Sequence, residues 1–418
     1  MTQKQVTHEP VDYVVAVNRG RDPLLLARKF EAMATDAFAF LRASAGLAHG
    51  DLDLAALPPS PLAWVCGDLH VGNFGCFRGA NRLVYFDLND FDEAARLPLA
   101  VDLMRMLASI LTAAPGLGLG RAAAVEATAQ ALASYGAGLA RGKSLWLERD
   151  TAFGPIRALL EQVATRSRRS LLERRTELRR GRRSLRIDGE HVLPMPARPG
   201  LLDQLELALL DLGRLYQQPD FFRPRDFARR VAGMGSLGVE RYVALVRGRG
   251  DPDRNALIDF KLAVASSASA ALPDCVQPPW TDQAQRVVML QDVCQAACPA
   301  YLTALPMGGQ PYVVRELQPV EDRVALAALA RQPRRLERTL GEMATVAAYA
   351  HLRGAGRRGA ADADEMMRFG RQLMEQPGPW LAAARSADAA NTAAFRAFRG
   401  AWRRRDARLA RLCERDTT

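Results

Sequence analysis

Carboxylate side chains and one carboxamide are concentrated between positions 66 and 93. The segment CGDLHVGN contains Asp68 and, five positions later, Asn73. A run of four carboxylates then falls within seven positions: Asp87, Asp90, Asp92 and Glu93. Carboxylates this close repel one another unless a cation or an arginine neutralises them, and carboxylate and amide oxygens bind Mg2+ beside phosphates. A metal is the economical explanation; the alternative is an acidic loop that caps the helix predicted near Leu97.

This pattern resembles the catalytic and metal loops of aminoglycoside and choline phosphotransferases. Those enzymes share Gly-Asp, four residues, Asn, an apolar strand that ends in Asp, and a further Asp that opens a helix, here Asp102 in AVDL. The resemblance implies phosphoryl transfer in which Asp68 orients an acceptor hydroxyl as the base, while Asn73 and Asp87 bind magnesium. Secondary candidates are His70, Asp90, Asp92 and Asp102. A packing or supporting role is favoured for His70, because Asp68 already suits the task of the base.

A glycine motif in the second half of the chain is a candidate phosphate cradle. Gly233, Gly235 and Gly238, with Ser236 between them, lie between predicted strands, which argues against a dinucleotide fold, where such a motif opens a helix. Lys261 follows on an apolar run two strands later. A kinase phosphate-covering loop has this arrangement, with the lysine on the third strand. The alternative is a solvent-exposed glycine hairpin with an unrelated lysine.

The elements that must position these motifs follow from hydrophobic periodicity. Residues 20–48 read as one helix, and the apolar runs 62–65 and 83–86 are predicted to form a hairpin around Asp68 and Asn73. Helices are predicted over 97–141 and 155–176. From about 225 the pattern predicts a three-strand meander, a helix around Val287, and strands at 300–305 and 311–317, before a helical tail from 323.

The two motifs occur in the reverse of the usual kinase order. We therefore expect an α+β, two-lobed, kinase-like fold that is circularly permuted. Its predicted parts are a helical catalytic lobe at 1–205, a β-rich nucleotide lobe at 206–320 and a helical remainder at 321–418. ATP is expected between the lobes, with the adenine edge against backbone groups near Val314 to Leu317; Arg315, Glu316 and Leu317 are the candidate cofactor-binding residues there.

Several phrases together resemble a bacterial family, domain-of-unknown-function family 2252: CGDLHVGNFGCF, VYFDLNDFDEA, VDLMRMLAS, GMGSLG with its downstream lysine, RVVMLQDV and YVVRELQP. The resemblance implies a kinase-like fold with no assigned substrate. Cys66 stands where kinases often have histidine, and Leu262 replaces the glutamate that usually follows the family's lysine. No glutamate occurs between positions 241 and 315, so the usual helix glutamate that fixes the lysine is missing. Possible substitutes are Asp282, Gln291 and Asp292.

Composition limits the remaining function classes. The 57 Lys and Arg residues against 46 Asp and Glu give a formal charge of +11, which favours anionic partners. The arginine-rich run 166–187 is either a solvated helix face or a patch for an anionic substrate or nucleic acid. No secretory signal or bilayer-spanning segment is expected, so a cytoplasmic location is predicted. The six cysteines form no CxxC pair.

The sequence thus predicts an ATP- and magnesium-dependent phosphotransferase with an unidentified hydroxyl acceptor, either a small molecule or a protein. One alternative keeps the fold and transfers AMP instead. The other is a nucleotide-binding pseudokinase or an arginine-rich nucleic-acid-binding module.

Overall fold

The computed structural model describes residues 9–319 and 322–414 and shows a mixed α+β architecture. The helices in this part of the chain are α1 (Pro10–Asn18), α2 (Pro23–Thr35), α3 (Ala37–Ala43), α4 (Ala45–Gly50), α5 (Ala100–Ala113), α6 (Arg121–Ala140), α7 (Gly154–Thr165), α8 (Arg168–Arg175), α9 (Leu201–Leu215), α10 (Ser267–Ala271), α11 (Gln283–Cys294), α12 (Pro333–Arg353), α13 (Ala363–Glu375), α14 (Gly378–Arg403) and α15 (Ala407–Cys413). The strands are β1 (Leu62–Val65), β2 (Phe74–Arg78), β3 (Val84–Leu88), β4 (Ala95–Pro98), β5 (Thr176–Arg179), β6 (Arg182–Leu185), β7 (Val192–Leu193), β8 (Pro224–Arg230), β9 (Arg241–Val246), β10 (Ala256–Leu262), β11 (Thr303–Met307) and β12 (Gln310–Glu316).

A six-stranded antiparallel sheet has the strand order β11-β12-β10-β9-β8-β7. The predicted meander and the two later strands are confirmed, and α11 connects β10 to β11 as expected. Because side chains alternate across a strand, Ile258 and Phe260 of β10 face the apolar cluster that α9 covers. Asp259 and Lys261 lie on the opposite face, and Asp259 pairs in register with Arg315 of β12.

The prediction of a hairpin between 62–65 and 83–86 is wrong, although both runs form strands. β1 pairs with β4, whereas β3 pairs with β2, a strand that the sequence analysis missed. The reason is that β2 follows directly after Asn73 and is joined to β3 by the turn at 79–83, where Gly79 N–H donates to Leu83 O. The loop that carries Asp68 and Asn73 therefore connects two different two-stranded ladders.

The arginine-rich run is not one helix face. The helix α8 ends at Arg175, and β5 and β6 form a hairpin whose turn contains Arg180 and Gly181 at φ +50° and +75°, the left-handed conformation that hairpin turns require. Leu172 and Leu185 pack on Val243 and Leu257 of the sheet. This hairpin therefore covers part of the same sheet face that carries Asp259 and Lys261.

The helical part of the protein combines segments that precede the six-stranded sheet in the chain with segments that follow its strands. One core cluster joins β1, β3, α5 and α6 to α11, α12 and α13. The stretch Ala100–Leu117 is, within the described residues, the one helical region long and apolar enough to span a membrane, and 83% of it is buried inside this core. A second cluster packs Phe30 and Phe40 against Phe398 of α14. The predicted domain boundaries at 205 and 320 stay predictions.

The predicted helix over 20–48 is three helices instead. Asp36 interrupts it, because the Asp36 side chain accepts hydrogen bonds from the N–H groups of Phe38 and Ala39 and so starts α3 as a cap. The predicted helix over 97–141 is likewise divided, because Pro115 and Gly118, at φ +67°, lie between α5 and α6. Residue type at these positions, rather than hydrophobic period, decides where the helices end.

Candidate functional site

A cavity of about 530 Å³ gathers three segments that are distant in sequence. It is lined by the loop 66–73, the acidic loop 90–93 and the glycine turn 233–239. The predicted site residues on its wall are Asp68, His70, Asn73, Asp90, Asp92, Gly233, Gly235, Ser236 and Gly238. The structure therefore brings the two predicted motifs together on one surface.

Asp102 holds the Asp68 loop from behind. Its buried carboxylate accepts hydrogen bonds from the N–H groups of Cys66 (2.8 Å) and Gly67 (2.9 Å), and it lies 3.1 Å from His351 Nε2. Gly67 has φ +78°, and a Cβ there would lie 2.1 Å from the carbonyl oxygen of Glu93, so only glycine fits. Asp102 is thus a positioning residue, and His351 is the buried, hydrogen-bonded histidine of an alanine-rich helix.

Asp68 faces the cavity in contact with an arginine that the sequence analysis did not identify. Arg105 Nε donates to Asp68 Oδ1 at 2.7 Å, and Arg105 Nη2 donates to the carbonyl oxygen of Leu41. Burial raises the pKa of Asp68 to about 7, although Arg105 opposes the shift. Asp68 therefore has the pKa of a base that works near neutral pH.

His70 supports Asp68 rather than replacing it. Its Nδ1 accepts a hydrogen bond from Gly72 N–H, so the proton sits on Nε2, which lies 3.8 Å from Asp68 Oδ2. Burial, together with the nearby Arg42, holds the pKa of His70 well below its ordinary value. His70 is accordingly neutral, and it lies next to the Asp68 carboxylate without a direct hydrogen bond to it.

Asn73 and Asp90 form the second functional edge of the cavity. Asn73 Nδ2 donates to the backbone oxygens of Asp68 (3.3 Å) and Asp90 (3.1 Å). Its Oδ1 is buried and has no hydrogen-bond partner in the described part of the chain. Burial would raise the pKa of Asp90, but Lys261, Arg315 and Arg323 outweigh it and lower this pKa. A buried amide oxygen without a partner and an ionised carboxylate on the same cavity wall are groups of the type that bind divalent cations.

Lys261 reaches the acidic loop instead of the helix α11. Its Nζ contacts the Asp92 carboxylate and lies 3.9 Å from Asp90 Oδ1. The suggested substitutes for a helix glutamate have other partners: Asp282 caps α11, Gln291 donates to Gln295, and Asp292 contacts Cys298. Asp92 therefore takes the position of the missing glutamate as the partner of this lysine.

The glycine turn is fixed by two basic side chains, Arg21 from the α1–α2 connection and Lys29 from α2. Gly233 and Gly238 have φ of +87° and +89°, which favours glycine at both positions. The carbonyl oxygen of Gly235 accepts from Arg21 Nη1 (2.7 Å) and from Lys29 Nζ (2.9 Å). Lys29 is one of only four lysines in the chain, which is the one sequence signal for its role.

Asp87 does not line the cavity. Both oxygens of its carboxylate accept hydrogen bonds from Arg353 Nη2 (2.8 and 2.6 Å), and Oδ2 also accepts one from Ala296 N–H (3.0 Å). The Asp87 side chain is 2% exposed. It lies inside β3, whereas Asp90 follows the end of this strand. The strand extends past the position that the sequence pattern assigned as its last, so Asp87 lies away from the cavity, whereas Asp90 lines it.

The backbone N–H groups predicted to meet an adenine edge already donate hydrogen bonds within the protein. Glu316 N–H donates to Ala300 O (2.8 Å) and Leu317 N–H donates to Leu257 O (2.9 Å). The Glu316 carboxylate accepts from Arg82 (2.6 Å) and Arg168 (3.2 Å). Arg315 is partly buried on the sheet face that carries Asp259. These three residues therefore lie outside the cavity wall.

The geometry defines an α+β protein with a cavity that is lined by an acidic loop and a glycine turn. The chain belongs to the family described as uncharacterised proteins conserved in bacteria, domain-of-unknown-function family 2252, whose model matches residues 21–401. The match includes every segment that lines the cavity apart from part of α1 and the residues directly after it. No curated protein and no solved structure matches the chain.

Proposed function

We propose that this protein is an ATP- and magnesium-dependent phosphotransferase that acts on a hydroxyl acceptor. The observation that carries the proposal is the convergence of Asp68, Asn73, Asp90 and the glycine turn on one cavity. Each has the residue type that phosphoryl transfer uses for a base, for metal ligands and for a phosphate cover. Their separation along the chain makes a merely local acidic loop a poor explanation.

The topology of the sheet supports a kinase-like, circularly permuted fold as part of this proposal. The glycine turn connects β8 to β9, Lys261 lies on the next strand β10, and α11 follows that strand. Protein kinases place a glycine-rich loop, a third-strand lysine and a helix in this order. Here the catalytic loop precedes the sheet in the chain. The helix α12, which follows the sheet, contacts Asp87 through Arg353 and Asp102 through His351.

Asn73 and Asp90 fit a magnesium ion. Mg2+ in phosphate-binding sites takes one or two protein oxygens and keeps waters and phosphate oxygens as the other ligands. This agrees with the finding that, among the residues that the structure describes, no three His, Cys, Asp or Glu side chains form a metal-binding group. When bound, the metal would neutralise charge on the transferring phosphate.

The protein residues perform the remaining steps. The acceptor hydroxyl donates its proton to Asp68, whose raised pKa suits a base. The hydroxyl oxygen bonds to the terminal phosphorus while the bond to the ADP oxygen breaks. Arg105 holds the Asp68 carboxylate next to His70, and Lys261 is expected to exchange its contact with Asp92 for a phosphate oxygen.

Thermal unfolding with and without ATP and magnesium tests the proposal. Ligand at about a hundred times its dissociation constant adds about 2.7 kcal/mol to the free energy of unfolding. We expect a magnesium-dependent rise in Tm that is absent in Asp90→Ala and present in Asp211→Ala, a matched control on α9 whose side chain is 43% exposed. A rise that persists unchanged in Asp90→Ala, or none in the parent, contradicts the proposal.

Nucleotidyl transfer is a second candidate, and one observation favours it. Leu172 and Leu185 cover Val243 and Leu257 on the sheet face that would receive a base. A nucleotide bound in the opposite sense would direct its α-phosphate toward Asp68. Label on the α-phosphate, rather than on the γ-phosphate, would then appear in the product, which distinguishes the two reactions directly.

A further inference from the structure

Of the four arginines on the cavity wall, Arg42 and Arg323 are the two with a buried Nε atom that lacks a hydrogen-bond partner in the described part of the chain. Other arginines near the cavity are engaged: Arg105 bonds Asp68, Arg241 bonds Asp259, and Arg21 bonds backbone oxygens of the glycine turn. Within residues 9–319 and 322–414, neither Arg42 nor Arg323 forms an ion pair, and the Nε atom of each is buried without a hydrogen-bond partner. Because Arg19, which also lines the cavity, is exposed to solvent, Arg42 and Arg323 are the largely buried cations of this wall without an ion pair.

The electrostatics of this pair call for an anion. An arginine stays charged in proteins, so burial cannot be relieved by loss of a proton. Burial lowers the pKa of both groups, and the charge of Arg42 lowers that of Arg323 further. The carboxylates of Asp36, Asp68 and Asp90 oppose the shift for Arg42, and Asp90 opposes it for Arg323, but none of these carboxylates is close enough for an ion pair. An unpaired charge held out of water is costly. A group with two negative charges would satisfy both guanidinium groups at once.

Their position places that anion on the side of the catalytic loop. A Cβ built on Gly72 would lie 3.6 Å from Arg42 Nε, and one built on Gly75 would lie 3.5 Å from Arg323 Cγ. The two side chains therefore flank the segment that contains Asn73. Lys261 comes instead from the sheet, together with the glycine turn, where the donor phosphates are expected.

We propose that Arg42 and Arg323 bind a phosphate group carried by the acceptor, so that the acceptor is a phosphorylated compound with a free hydroxyl. This inference rests on the proposed function, because it assigns the donor phosphates to Lys261, the glycine turn and the metal. The reaction stays balanced: the acceptor O–P bond forms, the ADP O–P bond breaks, and the hydroxyl proton passes to Asp68. The acceptor's own phosphate is unchanged and provides binding and orientation.

Calorimetric titration of inorganic phosphate into the metal-free protein tests the subsite. We expect binding that weakens about tenfold or more in Arg42→Gln and in Arg323→Gln, as for loss of a charge-assisted hydrogen bond. Arg28→Gln is the matched control, because it makes the same change in net charge where the guanidinium bonds the carbonyl oxygens of Gly189 and Glu190. Circular dichroism and Tm check that each variant is folded. Equal affinity in all four proteins overturns the subsite.

A second titration identifies the source of the phosphate. At saturating ATP and magnesium, an acceptor subsite still binds inorganic phosphate, with its dissociation constant changed less than about threefold. Competition between the two ligands overturns the acceptor assignment and moves the arginines to the donor's terminal phosphate. If ATP fails to bind while phosphate binding still depends on Arg42 and Arg323, the proposed function fails and the anion subsite stands.

Discussion

Asparagine substitutions at Asp87 and Asp90 should have opposite consequences. Asp87 is 2% exposed and accepts two bonds from Arg353, whose side chain is 12% exposed. Removing one partner of a buried ion pair costs about 3–5 kcal/mol. Because asparagine keeps one acceptor oxygen, we expect the lower end of this range for Asp87→Asn, about 3 kcal/mol, with no change in the chemistry of the cavity.

Asp90→Asn should leave stability nearly intact and abolish magnesium-dependent nucleotide binding. The Asp90 side chain is 44% exposed, so water screens the attraction of its charge to Lys261, Arg315 and Arg323. Stability should change by no more than about 0.5 kcal/mol. Asp211→Asn, in an exposed ion pair with Arg214, controls for loss of one carboxylate.

Urea unfolding followed by circular dichroism measures the stability arm, and calorimetric titration of ATP with and without magnesium measures the binding arm. Asp87→Asn should lower the urea midpoint without changing the slope of free energy against urea concentration. The reasoning is refuted if Asp87→Asn costs under about 1 kcal/mol and loses magnesium-dependent binding while Asp90→Asn binds like the parent. That pattern would return the metal to Asp87.

Two further predictions concern the Asp68 loop. Catalytic efficiency should rise with pH through a pKa of about 7, because burial raises the pKa of the Asp68 base. Arg105→Met should move this limb of the pH–rate profile to higher pH, since Arg105 lowers the Asp68 pKa. An unchanged limb contradicts the assignment. Gly67→Ala should lower the free energy of unfolding, measured in urea, by about 2 kcal/mol or more. The reason is that Gly67 has φ +78° and a Cβ there would lie 2.1 Å from the carbonyl oxygen of Glu93. Gly116→Ala is the control and should not lower it, because a Cβ at Gly116 meets nothing within 4 Å.

The sequence located the loops of the candidate site because their residue types are local. Asp68, Asn73 and the glycine turn occur in short phrases whose chemistry is readable without knowledge of the fold. The positive φ of Gly67, Gly233 and Gly238 is also a local property. The structure places Asp68, Asn73 and the glycine turn on one cavity wall, and the roles assigned to them stay predictions.

What the sequence left undetermined is the set of partners. Arg105 and Arg353 reach carboxylates that are 37 and 266 residues away, and an arginine-rich chain contains many equivalent candidates. The choice between Asp87 and Asp90 depends on where β3 ends and which way the side chain points. A shift of one residue in a strand reverses the face of a side chain, so spacing alone could not make this assignment.

The acidic loop illustrates how the fold changes the argument for a metal. From the sequence, the repulsion among its four carboxylates predicts a bound cation, and the alternative is a cap for the helix near Leu97. In the fold, Asp87 is neutralised by Arg353, Asp92 by Lys261, and Glu93 accepts from the N–H groups of Ser267 and Ala268 at the start of α10. Arginine, lysine and a helix start thus account for three of the four carboxylates, the capped helix is α10 rather than the one predicted near Leu97, and the metal stays a prediction.

Asp90 is the carboxylate of this run that the protein leaves most available. Its nearest cation, Lys261 Nζ, is 3.9 Å away and already contacts Asp92. Asn73 donates from Nδ2 to the Asp90 backbone oxygen, and its amide oxygen is buried and without a partner in the part of the chain that the structure describes. The case for magnesium thus rests on one carboxylate and one amide rather than on the total charge of the loop. A single ion bound through these two oxygens and the phosphates is the arrangement that they support.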